Sequence, residues 1–241
     1  SVGWTWNAGT STVSNTDGSI TSSVRANQTA GFSIITFTAP SSSTASYSVG
    51  HGLNVAPEFW LWKSRSATGS WQAYVTALGS SSNRLNLDST GAVSSTYPGS
   101  ATSSVINLSD GPTAAWGGTN VIYAFAPVES YSAVGSFEGN GNANGTFVGL
   151  SFRPALVILK NADNSSSSWK IYDNKRDPDN AISAQLYPNL NSAEISGERM
   201  DFLSNGFKLR TNGNEDNGSG NTLIYYAVAE NPFQANGGLA R

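Results

Sequence analysis

The sequence predicts an all-β protein: two tandem, structurally similar antiparallel β-sandwich modules of jelly-roll-like character. An internal repeat, the absence of helical periodicity, and an aromatic yet weakly charged composition carry that prediction. Around Pro57 the chain reads Val49-Gly50, Pro57, Phe59-Trp60-Leu61-Trp62-Lys63 and Trp71-Gln72-Ala73-Tyr74. Around Pro154 it reads Val148-Gly149, Pro154, Leu156-Val157-Ile158-Leu159-Lys160 and Trp169-Lys170-Ile171-Tyr172. Each copy closes on a similar run, Val121-Ile122-Tyr123-Ala124-Phe125-Ala126 and Ile224-Tyr225-Tyr226-Ala227-Val228-Ala229. A repeat of about a hundred residues has the size of a whole domain, so it points to duplication and not to a solenoid.

The 241 residues suffice for two cores of ordinary size. Charged residues make up 12% of the chain, about half the usual share, while aromatics reach 11%. Ser, Thr, Asn and Gly fill the difference, a composition suited to an extracellular or virion-exposed β protein. The net charge of −3 and the lack of a basic run argue against binding nucleic acid or anionic membranes. Cysteine is absent, which removes disulfides, thiolate catalysis and Cys-ligated zinc together. No stretch approaches the roughly 18 apolar residues of a membrane helix.

In chain order, Val2-Gly3-Trp4-Thr5-Trp6 resembles the closing runs. It is expected to be the last strand of a preceding module, which makes the chain the C-terminal part of a longer tandem protein. The alternative is that Trp4 and Trp6 begin a strand of the first module. The Ser/Thr-rich stretch 8–30, with its Asp17-Gly18 turn signal, reads as a linker. Ser33 to Thr38 is a strand. Glu58 to Lys63 and Ala155 to Lys160 are apolar nearly throughout, as expected of central strands buried on both faces. Trp71 to Val75 and Trp169 to Tyr172 follow after loops of hairpin length. Asn205-Gly206 predicts a type I′ turn joining Phe202 and Leu203 to Phe207 and Leu209. The longest irregular stretches, 79–103 and 174–198, occupy equivalent places and contain Tyr97-Pro98 and Tyr187-Pro188. The resulting division is 1–30 for the terminal strand and linker, 31–129 and 130–233 for the two modules, and 234–241 for the tail.

Catalytic signals are weak, and no cofactor is called for. His51 is the single histidine and has no counterpart in the second copy. It lacks the oriented base and nucleophile of a triad, so a turn or strand-edge role is expected. Two carboxylates could in principle serve a glycosidase, but no pair stands out. The cluster Asp173-Asn174-Lys175-Arg176-Asp177-Pro178-Asp179-Asn180 offers oxygen ligands, yet Lys175 and Arg176 sit inside it. It reads as a turn held by Arg176, and whether Asp173, Asp177 and Asp179 hold an ion stays open. The recurring aromatics (Trp71 and Trp169, Tyr74 and Tyr172, Phe37 and Phe137, Tyr123 and Tyr226) are expected in the core. Trp116 sits unmatched in a Gly-rich loop, where it either stacks on a sugar face or folds back over the sandwich end.

Several segments together resemble one known family: Gly31-Phe32-Ser33-Ile34-Ile35-Thr36-Phe37, Val49 to Pro57, Tyr123 to Tyr131, Asp201 to Arg210, and Ala229-Glu230-Asn231-Pro232-Phe233. They are similar to a duplicated β domain near the C-terminal end of tail-fibre and other virion structural proteins of tailed bacteriophages, many of them marine. The resemblance covers nearly the whole chain from about Asn15. It implies a virion location and a homo-oligomer, commonly a trimer, and brings no catalytic residues with it. The expected function is host adhesion, the non-covalent recognition of a bacterial surface glycan or outer-membrane protein by module-end loops. Trp116, Tyr97 and Tyr187 are the expected stacking residues, with Arg176 and Asp177 as polar partners. A purely architectural fibre module and a polysaccharide depolymerase are the alternatives.

Overall fold

The computed structural model describes residues 2–41, 46–79, 84–96, 99–108, 116–197 and 199–231. Those residues are almost entirely β, as the missing helical periodicity requires. The helical pieces among them are a 3-10 turn at Thr76–Leu78 and a short helix, α1 (Asn214–Asn217). The chain forms two compact units. One comprises Trp4–Leu87 and Val93–Pro127; the other comprises Val128–Arg241 with Ser1–Gly3 and Asp88–Ala92.

The first unit contains β1 (Val13–Asn15), β2 (Ser22–Asn27), β3 (Phe32–Thr38), β4 (Tyr47–Gly50), β5 (Phe59–Ser64), β6 (Gln72–Val75), β7 (Arg84–Asn86), β8 (Gly99–Ala101), β9 (Val105–Leu108) and β10 (Thr119–Phe125). Seven strands form one antiparallel sheet in the order β1-β2-β3-β10-β5-β6-β7, and β4-β9-β8 form a second. Period-2 alternation turns one side of each strand toward the other sheet. The large sheet contributes Ile35, Phe37, Trp60, Trp62, Tyr74 and Ile122; the small one contributes Val49, Ile106 and Leu108. Trp60 stacks on Tyr74 with ring centroids 5.1 Å apart.

The second unit contains β11 (Ser132–Glu138), β12 (Phe147–Gly149), β13 (Pro154–Asn161), β14 (Lys170–Asp173), β15 (Met200–Leu203), β16 (Gly206–Leu209) and β17 (Thr222–Ala229). Its sheets run β11-β17-β13-β14 and β12-β16-β15, all antiparallel. Val157, Leu159, Tyr172, Leu223 and Ala227 meet Met200, Phe202, Phe207 and Leu209 between them. Strand order in β3-β10-β5-β6 and β4-β9-β8 parallels that in β11-β17-β13-β14 and β12-β16-β15. Register agrees as well: Trp60 pairs with Ala124 and Tyr74, while Val157 pairs with Ala227 and Tyr172. The small sheets hold three strands each, short of the four-on-four arrangement of a jelly roll.

Several expectations need correction. Residues 8–30 are not a linker, because β1 and β2 pair onto β3 and extend the large sheet. Serine disguises these strands: Val24 is the single large apolar residue of β2, yet it is 1% exposed, and the buried Ser22 hydroxyl donates to the Gly50 carbonyl at 2.9 Å. Asp17-Gly18 lies between β1 and β2, in keeping with its turn signal. Trp4 and Trp6 belong to the first unit without forming a strand; Trp6 meets Phe125 edge-on at 6.1 Å. The β15–β16 hairpin turns at Ser204-Asn205, since Leu203 pairs with Gly206, and Asn205 does not have a positive φ. Phe202 faces Phe207 as expected, but Met200 takes the place opposite Leu209.

The recurring aromatics also divide. Tyr74, Tyr172 and Phe37 are core residues, and Phe137 packs against the core. Trp169 and Tyr226 are buried but outside the inter-sheet clusters, and Trp71 and Tyr123 are only half-buried. Tyr74 lies three positions after Trp71, an odd spacing that puts the two on opposite faces of the strand. Trp71 is half-buried and stacks on Tyr123 at 6.0 Å, whereas Trp169 is 2% exposed. Recurrence therefore preserves sheet position and not burial.

Candidate functional site

The outer face of the large sheet in the first unit carries a concavity of ≈ 420 Å³. Alternation points Ser14 of β1, Ser23 of β2, and Thr36 and Thr38 of β3 to the same side, and Thr12, Thr21, Ser22, Thr119, Arg65 and the apolar Val13 and Phe37 also line it. Its lining is thus rich in hydroxyls, with one cation. The wall is held from the backbone. Arg65 N donates to the Thr119 carbonyl at 2.8 Å, Thr119 N donates to Ser66 Oγ at 2.9 Å, and the two hydroxyls of Ser66 and Thr119 lie 2.8 Å apart.

Arg65 is distinguished by what it does not touch. Arg25 donates to the Gly9 and Thr10 carbonyls, Arg84 to Thr96 and Asn86, and Arg153, Arg176, Arg199 and Arg210 each pair with a carboxylate. Among the described residues Arg65 is the arginine whose guanidinium makes no internal bond, and it is exposed. A side chain with five donors and no acceptor inside the fold is available for an external one.

Trp116 lies three positions before Thr119 of this wall in the chain. Its turn leads into β10 at Thr119, and Gly117, at φ +62°, donates its N–H to the Pro40 carbonyl at 2.9 Å. The residue is 36% exposed. Tyr97 lies outside the described residues. Tyr187 is half-buried in the second unit, where burial raises its pKa, the charges of Glu215 and Asp216 add to that and those of Lys170 and Arg199 oppose it.

Arg176 and Asp177 hold their own loop together. Arg176 Nε donates to Asp173 Oδ2 and Nη1 to Glu194 Oε2, both at 2.6 Å, and Nη2 reaches the Ile171 carbonyl at 3.0 Å. Burial would push the Asp177 carboxyl up, but hydrogen bonds from Ser183 N, Ser183 Oγ and Ala184 N outweigh it and hold the pKa below the ordinary value. The loop is a braced turn, in line with the reading of Arg176. Among the described residues no group of three or more His, Asp or Glu is placed to hold a metal ion. The sequence missed Arg65 and its hydroxyl neighbours. Their signal is Ser/Thr at alternate positions of adjacent strands, which is legible only once β1 and β2 are known to be strands.

The family described as Domain of unknown function (DUF7483) matches residues 1–232. The chain belongs to this family. The match spans both compact units of the DUF7483 domain. No curated protein and no solved structure matches the chain. No helix among the described residues is long and apolar enough to cross a membrane.

His51 of this domain is structural. It is fully buried; Nε2 donates to the Thr102 carbonyl at 3.1 Å and Nδ1 accepts from Leu53 N at 3.1 Å, which fixes the neutral tautomer. Burial pushes its pKa below the usual histidine value, against the Thr102 hydrogen bond and the Asp17 charge. Because the folded state disfavours the proton, this contribution is complete above about pH 6.5 and is lost as pH falls toward the folded pKa. Thermal unfolding of the first unit is expected at lower temperature near pH 5 than near pH 7. Equal midpoints at the two values would contradict this.

Proposed function

We propose that this domain is a non-enzymatic adhesion module of a tailed-phage fibre that binds a bacterial surface glycan through the concavity around Arg65. The reading rests on one observation above all. The one arginine among the described residues without an internal partner lines a hydroxyl-rich concavity. Sugars present C–H and O–H groups, which match apolar lining such as Val13 and Phe37 together with hydroxyl and guanidinium donors. The volume lies in the range of small-ligand sites. Binding one or a few sugar units there requires no covalent step. The virion location and a homotrimeric state belong to the same reading and come from the resemblance of the sequence segments.

A second reading, an architectural fibre module without ligand, draws on the internally braced loop around Arg176 and Asp177 in the second unit. Binding of the native oligomer to host cells and to extracted surface polysaccharide separates the two. Saturable glycan binding is expected, and Arg65→Ala should weaken it by about 5- to 30-fold, the loss typical of a central contact; loss of binding in Trp116→Ala as well would extend the site to that tryptophan. Wild-type affinity in Arg65→Ala would remove the concavity from the account. No binding by the wild type at high concentration would favour architecture, capture of protease-sensitive receptors alone would favour an outer-membrane protein, and release of reducing ends would favour a depolymerase.

A further inference from the structure

In the second unit, β14 and α1 bring together a buried lysine and two carboxylates. Lys170 and Asp216 are each 3% exposed. Lys170 Nζ is in direct contact with Asp216 Oδ1, and Glu215 Oε2 lies 3.0 Å from the same nitrogen. The Tyr172 hydroxyl lies 3.3 Å from Asp216 Oδ1 and 3.2 Å from Gln185 Oε1, and Arg199 Nη1 is 3.8 Å from Asp216 Oδ2. Lys160 faces the same cluster but donates to the carbonyls of Asn161 and Asn164, so its amine has no carboxyl in contact.

We propose that Lys170 and Asp216 join in an intramolecular isopeptide bond, with Glu215 as the proton carrier. Lys170 Nζ attacks Asp216 Cγ; an N–C bond forms and one C–O bond breaks. The ammonium gives up two protons, which leave with the departing oxygen as water, and Glu215 takes them from nitrogen and delivers them to oxygen. An ammonium and a carboxylate become one neutral amide plus water, so the step needs no oxidant and no activating reagent. The tyrosine hydroxyl and the guanidinium draw electron density from the carboxyl group that is attacked. Dissolved amines and carboxylates do not condense, because water is in excess and the partners meet rarely. Here the partners are held in contact in a shielded site, which raises their effective concentration by orders of magnitude and lets the product water leave.

The bond would tie β14 to α1 across 46 residues of chain, including the loop braced by Arg176 and Asp177. A covalent clasp at this point suits a domain exposed to shear and proteases, and it stands whether or not the glycan reading does. The test is the intact mass of the purified full chain. The expected mass is lower than that of the sequence by one water, and a proteolytic map should contain the Lys170 and Asp216 peptides as one branched species. Lys170→Arg should restore the full sequence mass. Should that variant fail to fold, Glu215→Gln, at a side chain 49% exposed, keeps the amine and the carboxyl in place and should also restore the full mass. A wild-type chain at full sequence mass after prolonged incubation overturns the proposal, as does a water loss that maps elsewhere. A cross-link that persists in Glu215→Gln removes Glu215 from the step.

Discussion

Gly206→Ala is expected to destabilise the second unit by about 3–5 kcal/mol, the range reached when a substitution forces backbone apart in addition to straining φ/ψ. A Cβ at this position would lie 2.0 Å from the Val148 carbonyl oxygen and 3.0 Å from the Val148 carbonyl carbon. Both are backbone atoms of the paired strand β12, so no side chain can swing aside. The backbone also sits at φ +154°, which L-residues rarely adopt. Gly206 pairs with Gly149 here, and Leu150 N donates to the neighbouring Asn205 carbonyl at 2.9 Å. Separating the strands would therefore loosen the β12 edge of the small sheet. Gly220→Ala supplies the control. Gly220 also has a positive φ, +74°, but a Cβ there would meet nothing within 4 Å, so about 1 kcal/mol is expected from conformation alone. Denaturant midpoints for the two variants measure the difference. Equal shifts would mean that the Val148 contact is not the reason for glycine at Gly206.

Trp62→Ala should cost the first unit about 3–5 kcal/mol, the usual loss for a buried large aromatic. Trp62 is 1% exposed between the two sheets, and its Nε1–H donates to Asn120 Oδ1 at 3.0 Å. The substitution removes both the packing and the donor. Trp62→Phe retains much of the apolar area and loses the hydrogen bond, so a smaller loss of about 1–3 kcal/mol is expected. Hydrogen exchange of β5 and β10 peptides measures both variants where the damage occurs. A Trp62→Ala chain that keeps native protection in these strands would show that the tryptophan is not a central element of this core. The corresponding register position in the second unit is Leu159, paired with Tyr225, so an indole–amide bond is a feature of the first unit.

Much of the fold was legible. Phe59 to Ser64 and Pro154 to Asn161 form strands in the interior of their sheets, because continuous apolar runs of that length are stable when both faces are covered. The repeat also anticipated register: Pro57 and Pro154 count to equivalent lysines, and the strand pairings follow the same count. The edges were harder to read. Ser22 to Asn27 carries one large apolar residue, and a strand that faces solvent on one side needs little more than that. Polar strands and polar linkers have the same composition, and only pairing distinguishes them.

The candidate site was less visible. Trp116 could be singled out because it breaks the repeat, but Arg65 looks like any loop arginine until the partners of the other arginines are known. Arg176 and Asp177 stood out as a charged cluster, yet their charges are satisfied within their own loop.

By itself the sequence determined the strand-rich architecture and the recurrence of its core strands along the chain. Those properties follow from alternation and local turn chemistry, which act between near neighbours in the chain. Only the tertiary structure decided that β1 and β2 join the first sheet, that Arg65 meets a field of hydroxyls, and that Lys170 touches Asp216. Such contacts join residues far apart in sequence, and their energies depend on distances and burial that no local pattern encodes.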